Sequence, residues 1–325
     1  MSLESVSGIG PKTAERLIAG GITTIDQLSV QRPQEVASIC GFSLKIAKDV
    51  INDARDKAFS NVEVYTGNEY KDKLKTTLRY FPTGSTNLDK MLGGRGWQSL
   101  STYGLFGLFS TGKTQAINNA VVSCLSEDKY VLVEETETNT FNPSRWEEIA
   151  NSRGSKIDLD KVILFPATQV GTVFAQFRGY EYLNKKALDN GWDVGLIAID
   201  SFTAKFRRAY GGREMYPERA QEFGRHIDYL EEMAKRFNAV VLLSFQCGVT
   251  PDESGQTEDK MRYQGDFYPY GGTLVTHNIN TWISLTQCKG GEKSTDVYKA
   301  NLVDNSWLPK GSCQFIISDR GIEDF

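Results

Sequence analysis

Residues Gly107-Leu108-Phe109-Ser110-Thr111-Gly112-Lys113-Thr114 follow the pattern G-x-x-x-x-G-K-T. They stand directly after the apolar run Ser101 to Phe106 and directly before a helical pattern from Gln115 to Leu125. A glycine-bearing loop between a strand and a helix turns backbone N–H groups inward and cradles the phosphates of a nucleoside triphosphate. Such a loop demands a strand that ends inside a sheet and a helix packed back on it, so the chain is expected to be α/β.

The sequence after the loop keeps alternating between strand and helix signals. Short strands are predicted at Tyr130 to Val133 and Val162 to Phe165, with helices at Trp146 to Asn151 and Val173 to Leu188. Val194 to Asp200 is almost continuously apolar, as a central parallel strand requires. A helix from Pro217 to Phe237 leads to a strand at Ala239 to Phe245, and later strands are expected at Thr281 to Leu285, Val297 to Val303 and Gln314 to Ile317. The pattern predicts a mostly parallel sheet covered by helices, with an antiparallel C-terminal extension.

The 325 residues leave room for a small second domain. Residues 1–59 read as all-helical, with helices at Thr13 to Ala19 and Ala47 to Ala58, a cap at Thr24 or Asp26, a helix start at Pro33 and a turn at Gly41. Gly8-Ile9-Gly10 before Pro11 and Lys12 has the shape of a helix-hairpin-helix turn, whose helix N-terminus can offer N–H groups to a phosphate. Residues 39–47 echo it weakly. Residues 60–82 read as a polar linker with a short strand at Val62 to Tyr65, and the large domain is expected over residues 83–325.

Composition narrows the class. The chain is 40% hydrophobic and 24% charged, and it contains no run of 18 apolar residues, so no transmembrane helix is expected. The N-terminus lacks the pattern of a secretory signal. A net charge of -4 argues against a uniformly basic DNA-coating surface while allowing local basic patches. Five widely spaced cysteines fit neither a zinc knuckle nor a disulfide framework and read as mostly buried thiols in a reducing compartment.

Within the expected site, Lys113 is placed to reach the β- and γ-phosphates and Thr114 to ligate magnesium. Asp200, at the end of its apolar strand, stands where a metal-shell carboxylate is needed. Gln246 ends the next strand, where an amide can meet the γ-phosphate or the attacking water. Glu134, Glu135 and Glu137 follow a strand beside the site, and one of them could orient water. Alternation alone leaves open which of the three points inward.

Further landmarks are Thr83-Gly84-Ser85, Leu88-Asp89, Leu92-Gly93-Gly94, the loop continuing to Gln115, and Asn139-Thr140-Phe141-Asn142-Pro143-Ser144-Arg145. Others are Leu196 to Ser201, Phe206-Arg207, Arg213, Glu218-Arg219, Gln246, Gly271-Gly272 and Gly321-Ile322-Glu323-Asp324. Their order and spacing resemble the archaeal RadA recombinases and their eukaryotic strand-exchange relatives across nearly the whole chain. The resemblance implies a RecA-like ATPase core with a helix-hairpin-helix N-terminal domain. It implies ATP and Mg2+ as cofactors, with Gly107 to Gln115 around the phosphates and Arg145 against the adenine. It also implies that Asp266 and Pro269 cap ATP across a subunit interface.

The family forms helical filaments on single-stranded DNA and exchanges strands with a homologous duplex. The first DNA loop maps to about Arg207 to Glu218, with Arg207, Arg208, Tyr210, Gly211, Gly212 and Arg213. The second maps to about Cys247 to Tyr270, with Lys260, Arg262, Tyr263 and Phe267. The expected partners are single-stranded DNA, homologous double-stranded DNA, further copies in a filament or ring, and recombination mediators. The expected compartment is the archaeal cytoplasm, or the nucleus of a eukaryote.

Three departures matter. The family's Phe-x-x-Ala polymerisation segment finds its best counterpart at Tyr65-Thr66-Gly67-Asn68. Leu108 replaces the family's acidic residue. In place of Asp-Thr-Glu this chain reads Glu135-Thr136-Glu137-Thr138 before Asn139-Thr140-Phe141, so ungapped matching puts Thr138 at the catalytic position and a one-residue insertion puts Glu137 there. Glu137 is the expected base. The alternative functions are an ATP-binding paralogue or mediator without strand exchange, and a hexameric helicase or clock-type ATPase on the same core.

Overall fold

The computed structural model describes residues 2–60, 63–138, 140–169, 171–210, 213–249, 267–271, 279–288 and 296–325. They form two compact units, residues 1–75 and 76–325.

The first unit is helical: α1 (Pro11–Ala19), α2 (Ile25–Ser29), α3 (Pro33–Cys40) and α4 (Leu44–Phe59), followed by α5 (Gly67–Thr77), whose last two residues fall in the second unit. Pro11 and Pro33 occupy first-turn positions, where a missing N–H costs nothing. Thr24 and Gln27 form a reciprocal capping box, and Ser43 caps α4. Leu17, Leu28, Val36, Ala47, Ile51 and Ala54 are fully buried between the helices. Residues 63–66 carry no strand, contrary to the sequence expectation; Val62 lies outside the described residues. Thr66 and Glu69 instead cap α5 reciprocally, so Asn68 sits in a helical first turn.

In the second unit, β1 (Tyr80–Phe81) pairs with β2 (Trp97–Gln98), and α6 (Thr86–Met91) lies between them in sequence. The main sheet begins with β3 (Thr102–Phe106), α7 (Lys113–Ser126), β4 (Tyr130–Glu135), α8 (Pro143–Ser152) and β5 (Val162–Pro166). It continues with α9 (Val173–Asp189), β6 (Val194–Asp200), α10 (Ala204–Ala209), α11 (Tyr216–Phe237) and β7 (Val240–Phe245). After a small hairpin, β8 (Cys247–Val249) with β9 (Phe267–Pro269), come β10 (Thr281–Cys288), β11 (Val297–Asn305), β12 (Gly311–Ser318) and β13 (Gly321–Asp324).

Among the described residues the main sheet has nine strands in the order β13-β12-β11-β10-β3-β7-β6-β4-β5. It is parallel from β10 through β5 and antiparallel from β10 to β13. The fold is a RecA-like α/β core with a helical N-terminal unit.

Alternating side chains fill two cores. Val131, Val133, Leu196, Ala198 and Leu242 face α7, while Leu132, Ile197, Ile199, Val241 and Leu243 face α9 and α11. β13, absent from the expected strands, is fastened by Asp324, whose Oδ1 accepts from Ser85 Oγ (2.5 Å) and Asn87 N (2.9 Å) near the start of α6. No helix of the described residues is long and apolar enough to cross a membrane. Cys40 and Cys124 are buried, whereas Cys247, Cys288 and Cys313 are only partly so, which corrects the expectation of mostly buried thiols; all five are free.

Candidate nucleotide site

The neighbouring parallel strands β3, β7, β6 and β4 end at one edge of the sheet, and each delivers a polar residue there. The loop after β3, Asp200 at the end of β6, Gln246 after β7 and Glu137 after β4 line a cavity of about 690 Å³. Ligands of open α/β sheets gather at the carboxyl ends of parallel strands for this reason.

The loop is shaped by its glycines. A Cβ on Gly107 would sit 2.2 Å from the Leu285 carbonyl oxygen and 2.6 Å from Thr111 Oγ1, so no other residue fits. Gly112 starts α7 with φ +92°, a left-handed conformation that glycine adopts without strain. Lys113 Nζ donates to the carbonyls of Gly107 (2.8 Å) and Leu108 (2.7 Å), which pins its ammonium over the loop. Burial lowers the Lys113 pKa, opposed by Cys247, Asp200 and Glu137. Leu108 and Phe109 are exposed.

Asp200 is 3% exposed. Its Oδ2 accepts from Thr114 Oγ1 (2.6 Å) and its Oδ1 from Ser244 Oγ. Burial raises its pKa against these two hydrogen bonds, with Glu137 adding to the rise and Lys113 opposing it. A hydroxyl and a carboxylate in contact beside an ammonium-bearing loop are the oxygen donors magnesium takes beside a phosphate. The glycine-walled loop, the pinned ammonium and this oxygen pair together fit a magnesium–nucleotide group.

Glu134 and Glu135 lie on opposite faces at the end of β4, and Glu137 lies beyond the strand. Glu134 falls on the α9 face of β4 and is fully buried, with no hydrogen-bond partner at either oxygen. Burial pushes its pKa well up, opposed by Lys205. Glu135 accepts from the backbone N–H of Thr140 (2.7 Å) and Phe141 (3.2 Å), capping the turn that follows. Glu137 lines the cavity and accepts from Gln246 Nε2, whereas Thr138 is exposed and away from it. Glu137 is thus the carboxylate brought to Lys113 and Asp200.

Gln246 is held on every side. Its N–H donates to Thr203 Oγ1 (2.9 Å), its carbonyl accepts from Tyr270 N (2.8 Å), and its Oε1 accepts from Arg207 Nη1 (2.9 Å). Arg207, expected from the sequence as a DNA contact, therefore also reaches the nucleotide cavity. Sequence reading missed that link because residues 39 apart carry no mutual spacing signal. Arg145 lies near the start of α8 and donates to Gln115 Oε1 (3.1 Å), Glu148 and the Ser318 carbonyl. Gln115 lies in the cavity wall; Arg145 does not line it.

Arg208 is exposed at the end of α10, and Tyr210 stacks on Phe206 with centroids 6.2 Å apart. The backbone of Arg213 lies in a short 3-10 turn before α11. Pro269 pairs with Cys247 in the β8–β9 hairpin. Tyr65 packs against Tyr70 (6.1 Å) and under Lys73 (4.3 Å). Asn139, Gly211, Gly212, Lys260, Arg262, Tyr263, Asp266 and Gly272 lie outside the described residues, as do the side chains of Arg213 and Phe267.

The Rad51 family model matches residues 74–325, and that of the SAM-like helix-hairpin-helix tandem matches residues 1–56. The chain belongs to the Rad51 family. It is 31% identical to the DNA repair and recombination protein RadA of Ignicoccus hospitalis, covering 99% of this chain and 95% of that protein. It is 29% identical to the RadA proteins of Aeropyrum pernix and Methanococcus maripaludis, covering 99% of this chain in each case and 96% and 99% of the relatives.

Proposed function

We propose that this Rad51-family chain is an ATP-dependent DNA recombinase that assembles on single-stranded DNA and pairs it with a homologous duplex. The observation that carries the reading is the convergence of Lys113, Thr114, Asp200, Glu137 and Gln246 on one cavity behind a glycine-walled loop. The full-length similarity to proteins named for DNA repair and recombination supplies the substrate class.

In this reading, bound ATP would supply the phosphoanhydride to be cleaved, and Mg2+ the charge neutralisation that speeds its cleavage. Lys113 and the N–H groups of residues 108–114 would hold the phosphates, and Thr114 and Asp200 would hold the magnesium. Glu137 accepts a hydrogen bond from the attacking water and orients it. Gln246 holds Glu137 in place. Arg145 packs beside the base through its contact with Gln115. Arg207, Arg208, Tyr210 and Arg213, with Gly211 and Gly212 between them, contact DNA backbone and bases, as do Lys260, Arg262 and Tyr263 of the second loop. Asp266 and Pro269 face the nucleotide of a neighbouring copy.

A mediator that binds ATP and DNA but exchanges strands poorly is the second reading. The helical first turn at Asn68 favours it, because a polymerisation strand would be confined to residues 63–66 unless that turn unwinds. Strand exchange between a single-stranded oligonucleotide and a homologous duplex, with ATP and with a non-hydrolysable analogue, separates the two. Exchange under either condition supports the recombinase. DNA binding without exchange under both supports the mediator.

A further inference from the structure

Tyr270 follows β9 and does not line the nucleotide cavity. Its contacts nevertheless join that cavity to the first proposed DNA loop. Its N–H donates to the Gln246 carbonyl (2.8 Å). Its hydroxyl accepts from Arg219 Nη1 and donates to the Tyr210 carbonyl, each at 3.0 Å. Its ring is shared by two guanidinium groups, Arg219 at 4.8 Å and Arg207 at 5.6 Å from the centroid. Both lie within the range of cation–π attraction. Arg219 is 7% exposed and stacks on Tyr216 at 4.2 Å.

One side chain thus grips both ends of the loop. Tyr210 and Arg207 belong to the end of α10, and Arg219 to the first turns of α11. Arg207 in turn donates to Gln246, whose amide donates to Glu137. A phosphate is a stronger partner for a guanidinium than a ring or a neutral oxygen. An anion that draws Arg207 away from Tyr270 therefore also removes the donor on Gln246 Oε1 and loosens the residue holding Glu137.

We propose that Tyr270 is a positioning residue that couples the 207–213 loop to the Glu137–Gln246 pair. The inference rests on the nucleotide and DNA roles proposed above for those two places. The departure of Arg207 from Tyr270 is felt at Gln246, and the hydroxyl contacts to Arg219 and Tyr210 set how firmly the loop is held before any ligand arrives.

The test is hydrogen exchange on the full chain, comparing wild type, Tyr270→Phe and Tyr270→Leu. The phenylalanine keeps the ring and removes both hydroxyl contacts; the leucine removes the ring as well. Without ligand, Tyr270→Phe should speed exchange across residues 204–210 about tenfold, the effect expected from losing one or two net hydrogen bonds, while α7 stays within about twofold. Tyr270→Leu should exceed it over the same segment. With oligothymidylate added, wild type should change exchange at 204–210 and 240–249 together; Tyr270→Phe, which keeps the ring beside Arg207, should show both responses, and Tyr270→Leu, which does not, should lose most of the response at 240–249. Unaltered ligand-free exchange in both variants, or an undiminished response at 240–249 in Tyr270→Leu, overturns the proposal. A wild type that binds neither oligothymidylate nor ATP sinks the functional reading instead, and the ligand-free comparison still decides whether Tyr270 ties the loop.

Discussion

Two glutamates separated by one residue are expected to fail in opposite ways. Glu135 accepts from two backbone N–H groups, and Glu137 faces the cavity. Glu135→Gln keeps an acceptor but removes its charge. A hydrogen bond to a charged group contributes about 1.5–3 kcal/mol against about 0.5–1.5 for a neutral one, so the two bonds together lose about 2 kcal/mol. For a unit of this size that lowers Tm by about 4–8 °C. Glu137→Gln also keeps an acceptor for Gln246 Nε2; its single hydrogen bond loses about 1 kcal/mol by the same reckoning, partly offset by relief of the repulsion with Asp200, so Tm should fall by no more than about 2–4 °C. It removes the group that orients the attacking water, a contribution of about 10²- to 10⁴-fold. Phosphate release at saturating ATP and melting by circular dichroism measure the two effects. Glu137→Gln should be stable and slow, and Glu135→Gln should melt early and turn over within a few-fold of wild type. Thr138→Ala should match wild type in both. A stable Glu135→Gln that is the slower enzyme, or a Glu137→Gln at wild-type speed, refutes the assignment.

Buried titratable groups give two further expectations. His226 is fully buried, and burial pulls its pKa from the ordinary 6.5 to about 3. Its folded-state pKa is depressed, so the unfolded chain takes up the proton first. The stabilisation is complete above about pH 6.5 and is lost as pH falls toward 3, at up to about 1.4 kcal/mol per unit. Urea midpoints of His226→Phe should flatten in that window, and curves parallel to wild type would contradict this. Glu134 and Lys205 are both buried on the α9 side of the sheet and interact electrostatically. The double variant Glu134→Leu/Lys205→Met should equal or exceed wild-type stability by about 1–4 kcal/mol, while each single variant falls below the double. Additive losses in denaturant unfolding would count against a coupled pair.

The sequence made legible what one strand and one loop can encode. The continuous apolar run Val194 to Asp200 became the buried β6, with Asp200 at its end, and the glycine loop took its place between β3 and α7. The glutamate register needed the structure, because inward and outward faces of β4 depend on which neighbours pack there. Glu134 lies on the α9 face even though a carboxylate is an unfavourable core residue. The helix Gly67–Thr77 did carry a local signal, the Thr66-x-x-Glu69 capping pattern, which polar composition obscured. β13 was hidden by its shortness, since four residues show little alternation and the strand exists through pairing with β12. The contacts among Glu137, Gln246, Arg207 and Tyr270 are tertiary, and no single segment announces them.

On the proposed function, the loop Gly107 to Thr114 makes DNA binding depend on a bound nucleotide. Fluorescence anisotropy of labelled single-stranded DNA, with and without magnesium–ATP, for wild type and Lys113→Ala tests it most directly. Wild type should bind at least about tenfold more tightly with nucleotide, a difference of about 1.4 kcal/mol, and Lys113→Ala should bind equally with and without it. Nucleotide-dependent binding undiminished in Lys113→Ala would contradict the account.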